Sequence, residues 1–476
     1  MSPRRVVVVG GGITGLTTAY RLVRAGHDGA GRPLSVTLLE ERPRLGGNIQ
    51  TERRDGFVID GGPDSFVVTR PQAANLCREL GLGDRMIGTT EKNRKVYIRQ
   101  GGALHPLPEG LVLAIPSRVW PLAKSPLFSW PGKARMALDL LLPRRPEIGD
   151  ESVGHFIRRR LGNEALERLA EPLLGGIYAG NVDSLSLRAT FPQLLDLERK
   201  HRSLIRGAVA QRAARKDQKG RPPPSLFTSL LGGMGELVDA LAAAIKKGGG
   251  ELRTSAGVAS IHAGALPGGK AAPFRLELQG GGEPLLADDV VLTTPAHAAA
   301  TALDSYDRDL AARLRQVPYV SSAVVVFGFT RADVPHALDA SGLIIPKGEK
   351  RRALAATFIS SKWAGRAPSD AALLRVFLGG HRDPGALAQT DDELIQIARD
   401  ELGALLGLRA KPTLARVYRY DRANAQPVIG HLDRVEKMRS LAAEHPGLHL
   451  AGAAFDGVGI PDCVRQATEV ADRILA

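Results

Sequence analysis

RRVVVVGGGITGLTTAYRLVRAG, residues 4–26, changes character at Gly10. Up to that point the run is continuously apolar and β-branched, which reads as a parallel strand buried on both faces. Gly10-Gly11-Gly12 breaks it. Residues 14–25 then place Leu16, Ala19, Tyr20 and Val23 on one helical face, and Gly26 is a natural stop. SVTLLEE, residues 35–41, supplies a second strand, so the segment is β-α-β. Gly10, Gly12 and Gly15 fit the spacing G-x-G-x-x-G of a dinucleotide-binding turn. The first glycine allows the tight turn, the second lets backbone approach a pyrophosphate, and the third lets helix and strand pack closely. Gly11, Ile13 and Thr14 complete the turn, and the helix N-terminus directs free N–H groups at the phosphates. Glu40 ends the second strand, 25 residues after Gly15, where it accepts from a ribose hydroxyl; Glu41 follows it. The loop HDGAGRP absorbs the long gap. A bound dinucleotide is the expectation.

A chain of 476 residues is too long for one ordinary core, so two or three domains are expected. Hydrophobic residues at 43% and charged residues at 24% are globular values. The formal charge of +14 either favours an anionic partner (nucleic acid, anionic lipid or an acidic small molecule) or serves solubility alone. Nucleic acid is not expected, because zinc-finger spacing, an RNP-like aromatic strand and a long basic tail are all missing. Two cysteines, Cys77 and Cys463, make no disulfide framework, which suits a reducing cytosol. The N-terminus runs straight into a strand without a signal-peptide pattern, and no uncharged apolar run reaches about 18 residues. The 11 histidines show no metal-ligand spacing, so no metal is expected.

Further along, residues 105–132 carry Pro106, Pro108, Pro116, Pro121, Pro126 and Pro131, which excludes a long regular helix. The same stretch holds Leu111, Leu113, Ile115, Trp120, Leu122, Leu127, Phe128 and Trp130. It faces a membrane or partner, or it packs on the body. Val153, Phe156, Ile157 and Leu161 have helical spacing after Ser152, and the RRR at 158–160 reads as a mostly solvated face. ARKDQKGRPPPS, residues 214–225, reads as an exposed loop. LGGMGELVDALAAAIKKGGG is turn, helix and stop. Residues 251–263 return to strand character, and 274–295 read as a hairpin with a strand exit. Residues 321–329 and 372–380 are further strands, and 391–407 a helix.

Two extensions favour FAD over NAD. ERPRLGGNIQT puts Arg42, Gly46, Gly47 and Asn48 beside the phosphates if the loop folds back, and GFVIDGGPDSF adds a second turn, Gly61-Gly62-Pro63-Asp64. With these blocks the chain resembles the flavin-dependent amine-oxidase superfamily. The resemblance implies an α/β (α+β multi-domain) fold. It would have a Rossmann-like FAD-binding domain of the amine-oxidase/p-hydroxybenzoate-hydroxylase type (1–70, 226–298 and 424–476). A mixed-sheet substrate domain (71–110 and 299–423) and a helical membrane-associating region (111–225) would complete it. It also implies non-covalent FAD and explains the late glycines in LAGAAFDGVGIPDCV, residues 450–464. Gly452 would approach the phosphate–ribityl region. Val458, Gly459, Ile460 and Pro461 would pass under the isoalloxazine and open a helix whose N-terminus stabilises negative charge on the ring. Val258 in AGVAS would meet the adenine.

Most of that superfamily has an acid just after the AG, where this chain has Ala453. In this, and in NRKVYIRQGGALHPLPEG (93–110), GGIYAGNVDSLSLRATFP (175–192), HRSLIRG (201–207) and LLGGMGELVDAL (230–241), it resembles the protoporphyrinogen oxidases. That branch implies three two-electron oxidations of a reduced tetrapyrrole, protoporphyrinogen IX, with FAD as acceptor, oxygen consumed and hydrogen peroxide released, in haem biosynthesis. No side chain is then expected to act as a catalytic acid or nucleophile. Arg94 would pair with a propionate, bidentately. Ile344 and Phe377 would sandwich the macrocycle, and Ala179, Gly180 and Asn181 would line the same pocket. A cytoplasmic homodimer, held peripherally on anionic lipid at the inner face of the cell membrane, completes what the branch implies. Coproporphyrinogen oxidation by the same chemistry, or flavin binding without turnover, are the alternatives.

Overall fold

Arg4–Val9 is hydrogen-bonded on both sides, to Leu34–Leu39 and to Asp289–Leu292, all parallel. Its valines divide between two cores. Val6 and Val8 enter one with the helix Ile13–Ala25, while Val7 and Val9 enter the other with Ala296–Leu303. A strand covered on both faces needs no polar side, which is why the run is uninterrupted. The computed structural model describes residues 2–112, 114–146, 149–216, 225–264 and 273–476. Its parallel sheet has five strands, in the order Glu251–Arg253, Leu34–Leu39, Arg4–Val9, Asp289–Leu292 and Leu448–Leu450. Ile13–Ala25 packs between the helices Gly235–Lys247 and Ile460–Leu475, and Gly26 ends it at φ 73°.

The expected single strand over 251–263 is in fact two. Glu251–Arg253 joins the parallel sheet, whereas Val258–Ala263 pairs with Phe274–Leu278 in a separate antiparallel sheet. Ser255, at φ 52°, turns the chain between them.

A second, mixed sheet has seven strands: Leu414–Ala425, Tyr319–Thr330, Ala371–Gly379, Ala355–Phe358, Gly342–Ile344, Val96–Gln100 and Ala103–Pro106. Alternation decides its two faces. Val325, Phe327, Leu374 and Val376 point at the helix Asp391–Leu406, which starts in a capping box on Thr390. Val324, Val326 and Tyr418 point the other way, onto Phe57 and Ile59. That second face therefore lies against the Gly61–Gly62 turn.

A third core gathers Phe156, Ile157, Leu169, Leu174, Leu187 and Leu194 from helices, including a π-helical run Leu166–Gly175 around Pro172. Here the solvated reading of Arg158–Arg160 fails. Arg158 is exposed, but Arg159 lies between Glu151 and Glu198 at 2.7 Å from each, and Arg160 is 1% exposed. Arg160 stands three residues from Ile157 and four from Phe156, so the helix turns it inwards. Asp139, fully buried, receives its Nε at 2.6 Å.

The proline-rich stretch divides between its two readings. Ile115, Leu127 and Phe128 are buried, while Trp120 and Trp130 are 72% and 74% exposed. Leu113 and most of the loop expected over 214–225, namely 217–224, lie outside the described residues. No helix among the described residues is long and apolar enough to cross a membrane.

Candidate functional site

The three glycines of the first turn meet three different constraints. Gly10 sits at φ 110°, and a Cβ there would lie 2.8 Å from Thr293 Oγ1. A Cβ on Gly15 would collide with the Gly10 carbonyl. Gly12 is different: its backbone is extended (φ −74°, ψ 179°), and a Cβ would meet nothing within 4 Å. Space is open beside it, at a helix N-terminus that no side chain caps. Ile13 and Thr14 are buried in the first helical turn.

Glu40 is buried just past Leu34–Leu39. Its carboxylate accepts from the Gly11 N–H at 2.6 Å and the Arg42 N–H at 3.0 Å. A carboxylate has about four acceptor positions, so two amides leave room for further donors. Glu41, Arg42 and Asn48 are exposed. The loop does fold back: the Gly46 N–H donates to the Gly11 carbonyl at 2.8 Å, and a Cβ on Gly47 would lie 3.1 Å from Gly12 Cα. Arg44 holds this fold in place through the carbonyls of Gly47 (2.9 Å), Ile49 (3.3 Å) and Leu45 (3.4 Å). Burial, then Arg42, lowers its pKa. Reading for glycines alone misses Arg44; the alternation Arg42-Pro43-Arg44 before two glycines was its visible mark. Ala256 N–H donates to the Glu40 carbonyl at 2.8 Å, which brings Val258 to the same end.

The late glycines arrive beside the early ones. Gly452 sits at φ 129°, and a Cβ on it would lie 3.9 Å from Thr14 Oγ1. Val458 follows, and Gly459 precedes the helix Ile460–Leu475, whose N-terminus also lacks a side-chain cap and carries Pro461 in its first turn. The N-terminus of Ile13–Ala25 is open to an anion, whereas the first turn of Ile460–Leu475 already holds the Asp462 carboxylate against Gly459.

The third turn approaches from the other sheet. A Cβ on Gly61 would strike the Tyr418 ring, and one on Gly62 the Asn48 carbonyl. Pro63 is half-buried. Asp64 turns away from this opening into a buried cluster. Its carboxylate meets Lys362 Nζ at 2.9 Å, Arg375 at 3.0 Å and Trp363 Nε1 at 3.1 Å. Burial pushes its pKa up, but Lys362 and Arg375 outweigh it and hold the carboxyl far below the usual range. Burial likewise pushes the Lys362 ammonium down while Asp64 pulls it up. Arg375 also donates to the Gly62 carbonyl at 2.8 Å, so the cluster shapes the turn. A lone arginine inside the apolar strand AALLRVFLG was its legible trace.

On the mixed sheet, Ile344 pairs with Ala355, and Ala355 with Phe377. Directly paired residues share a face, so Ile344 and Phe377 rise on either side of a small alanine, about 10 Å apart. Ile344 and Val458 both pack on the helical core beside Tyr178. Ala179, at φ 47°, accepts from the His381 N–H at 2.8 Å, and Gly180 abuts Gln426. Asn181 Oδ1 accepts from the Asp183 N–H at 3.0 Å. These residues come together; Arg94 does not join the row. It precedes Val96–Gln100, is partnered by Glu91 at 3.4 Å, and stands four residues from Ile98, the partner of Ile344. Arg94 itself lies outside the strand, in helical conformation (φ −70°, ψ −17°) at the end of the 3-10 turn Glu91–Asn93. No group of three or more metal-ligating side chains forms among the described residues.

A parallel nucleotide-binding sheet whose open turn is closed by a mixed sheet defines a flavoprotein oxidoreductase. Residues 13–475 match the family of flavin containing amine oxidoreductases, and the chain belongs to that family; its cofactor is FAD. Among similar proteins, the coproporphyrinogen III oxidase of Bacillus subtilis (strain 168) is 36% identical over 470 residues, 97% of this chain and 96% of its own. The mitochondrial protoporphyrinogen oxidase of Nicotiana tabacum is 27% identical over 513 residues, covering 100% and 95%. A solved structure from Exiguobacterium sp. 255-15, provisionally named protoporphyrinogen oxidase, superposes with a TM-score of 0.86 at 33% identity, covering 100% of this chain and 99% of that one.

Proposed function

We propose that this chain is a porphyrinogen oxidase and that coproporphyrinogen III, oxidised to coproporphyrin III, is its substrate. The observation that carries the reading is the slot between Ile344 and Phe377, floored by Ala355, with Val458 on the same apolar cluster as Ile344. The apolar ring of a porphyrinogen, puckered at its methylene bridges and flattening as they are oxidised, suits such a slot; an amine substrate would not require it. The sequence put protoporphyrinogen IX first. The name of the Bacillus relative, at 36% identity along nearly the whole chain, supports the four-propionate substrate instead. The Nicotiana relative supports protoporphyrinogen as a second reading.

The geometry supports the following roles. Gly12 lets the pyrophosphate approach, with the uncapped N-terminus of Ile13–Ala25 aimed at its charge. Glu40 keeps acceptor positions for ribose, Arg44 adds positive charge beside the loop, and Val258 borders the adenine. FAD, when bound, would supply a two-electron acceptor for hydride from a bridging methylene, a pyrrole N–H proton being lost to solvent, with oxygen as the final oxidant. The protein's own work is to press the macrocycle flat between Ile344, Phe377 and Val458, to exclude water, and to hold its propionates. On this reading residues 1–70, 226–298 and 424–476 form the FAD domain, joined by 71–86 and 299–317, whose apolar side chains share its two cores, and the remainder of 71–110 and 299–423 forms the substrate domain.

Porphyrin fluorescence in air tests this. Purified yellow protein, given each reduced porphyrinogen separately, should produce coproporphyrin faster than protoporphyrin. A faster protoporphyrin signal would install the second reading. No growth above the air-oxidation blank with either would overturn the function and leave a flavin-binding fold.

A further inference from the structure

One ion pair beside the late glycine turn has no part in the account above. Asp462 lies in the first turn of Ile460–Leu475, and its carboxylate packs against both glycines that flank Val458. A Cβ on Gly457 or Gly459 would lie 2.8 or 2.9 Å from Asp462 Oδ2. Asp462 Oδ1 accepts from Arg70 Nη1. The side chain of Asp462 is 12% exposed, whereas that of Arg70 is 46% exposed. Burial, and then Asp462, push the Tyr178 hydroxyl up to about 12, and Arg70 opposes them. Tyr178 immediately precedes Ala179-Gly180-Asn181 and packs in the same apolar cluster as Val458 and Ile344.

We propose that Arg70 anchors a carboxylate of the acidic substrate at the Val458 wall, and that Asp462 is the positioning residue that aims it. The inference rests on the porphyrinogen reading and adds a specificity determinant to it. A guanidinium has five N–H donors in a rigid fork, and the bond to Asp462 takes one edge of it. The exposed remainder is free to meet a propionate in the bidentate geometry that suits two planar groups. Asp462 is rooted in a helix and the glycine turn, so it fixes the fork before substrate arrives and lowers the ordering cost of binding. Arg94, by comparison, leans on the exposed Glu91 and ends a 3-10 turn ahead of the strand that pairs with Gly342–Ile344. A substrate with several propionates has use for both; of the two, Arg70 is the one whose carboxylate partner packs on the Val458 turn.

The test compares Arg70→Ala, Arg70→Lys and Asp462→Asn with the wild-type holoenzyme. Flavin absorbance per chain reports cofactor occupancy. Quenching of porphyrin fluorescence reports binding of coproporphyrin III and of its uncharged tetramethyl ester. Arg70→Ala should keep its flavin, raise KM for coproporphyrinogen and the Kd for coproporphyrin about tenfold or more, and leave the ester unaffected. Arg70→Lys should recover part of the loss, because it restores charge without the fork. Asp462→Asn should raise KM less than Arg70→Ala, with kcat nearly unchanged. An Arg70→Ala enzyme that binds the free acid as wild type does overturns the proposal, and so does one that loses acid and ester equally. Wild-type protein that turns over neither porphyrinogen overturns the functional reading itself.

Discussion

Gly12→Ala separates two duties that glycines share in the first turn. At φ −74° and ψ 179° an alanine is unstrained, and its Cβ meets no protein atom within 4 Å. The fold therefore loses nothing, and the unfolded chain loses some freedom, which stabilises slightly. The methyl group does fill the opening where a pyrophosphate must approach the backbone. The expected result is a flavin-stripped protein whose circular-dichroism melt matches wild type within about 1 °C per few tenths of a kcal/mol. Its FAD dissociation constant, followed by flavin fluorescence on release, should rise about tenfold or more, the effect of about 1.4 kcal/mol. Gly15→Ala should behave oppositely: its Cβ collides with the Gly10 carbonyl, so folding itself fails. Equal flavin affinity in Gly12→Ala would remove the pyrophosphate from this turn. The glycine spacing was legible because each glycine answers a local backbone demand. Asp64 was legible only as a neighbour of glycines. Its partners Lys362 and Arg375 are some three hundred residues away, and no local pattern announces a pairing at that range.

Helices show the same division between local and distant causes. Asp391–Leu406 is written out in its own residues, from the Thr390–Glu393 capping box to Gly407 at φ 70°. In Val153–Leu161 the apolar spacing was equally clear, yet three consecutive arginines span about 200° of the helix and cannot share one face. Arg160 belongs to the apolar set by position, and what lets it stay charged there is Asp139, on a separate segment. The helix His431–Ala443 carries a pH response for a related reason. Burial pushes the His431 imidazole below its ordinary value of 6.5, and its Nε2 lies 2.9 Å from the Phe455 carbonyl in the late glycine segment. A neutral ring donating from Nε2 satisfies that contact. The unfolded chain takes up a proton below pH 6.5 that the folded chain resists, so stability is full above that value and declines as pH falls through the folded one. The slope approaches about 1.4 kcal/mol per pH unit at most. His431→Gln keeps a donor but removes the titration. Urea unfolding of wild type between pH 7 and 5 should show the steeper decline, with earlier flavin release; equal slopes would exclude His431.

At the scale of the whole molecule, the β-α-β start was readable because a glycine turn and strand patterning are local facts, whereas the return of the C-terminus to it and the mixed second sheet were implied only by the family resemblance. The way the mixed sheet's inner face meets Gly61–Gly62 was not readable, since it depends on the packing of segments more than 300 residues apart. The proline-rich stretch was undecidable from its composition for a similar cause: apolar residues there point both ways. Its outward side is where the expected membrane contact can be tested. Val119–Lys124 and Trp130–Ala137 are linked by Lys133, whose Nζ donates to the Ala123 carbonyl at 2.7 Å. The exposed Trp120 and Trp130 each carry a lysine over the ring, Lys124 at 5.5 Å and Lys133 at 4.5 Å, with Leu138 and Leu141 exposed just beyond. Amphipathic rings next to ammonium groups suit a boundary between acyl chains and anionic headgroups. Two mechanisms of attachment then differ in their response to salt. If only the net charge of +14 binds lipid, pelleting with anionic vesicles should vanish at about 0.5 M salt, where the Debye length falls to about 4 Å. If the tryptophans insert, part of the binding should survive, and Trp120→Ala with Trp130→Ala should remove that salt-resistant part while flavin content stays at the wild-type level. Unchanged pelleting of the double variant at high salt would exclude this face as the docking site.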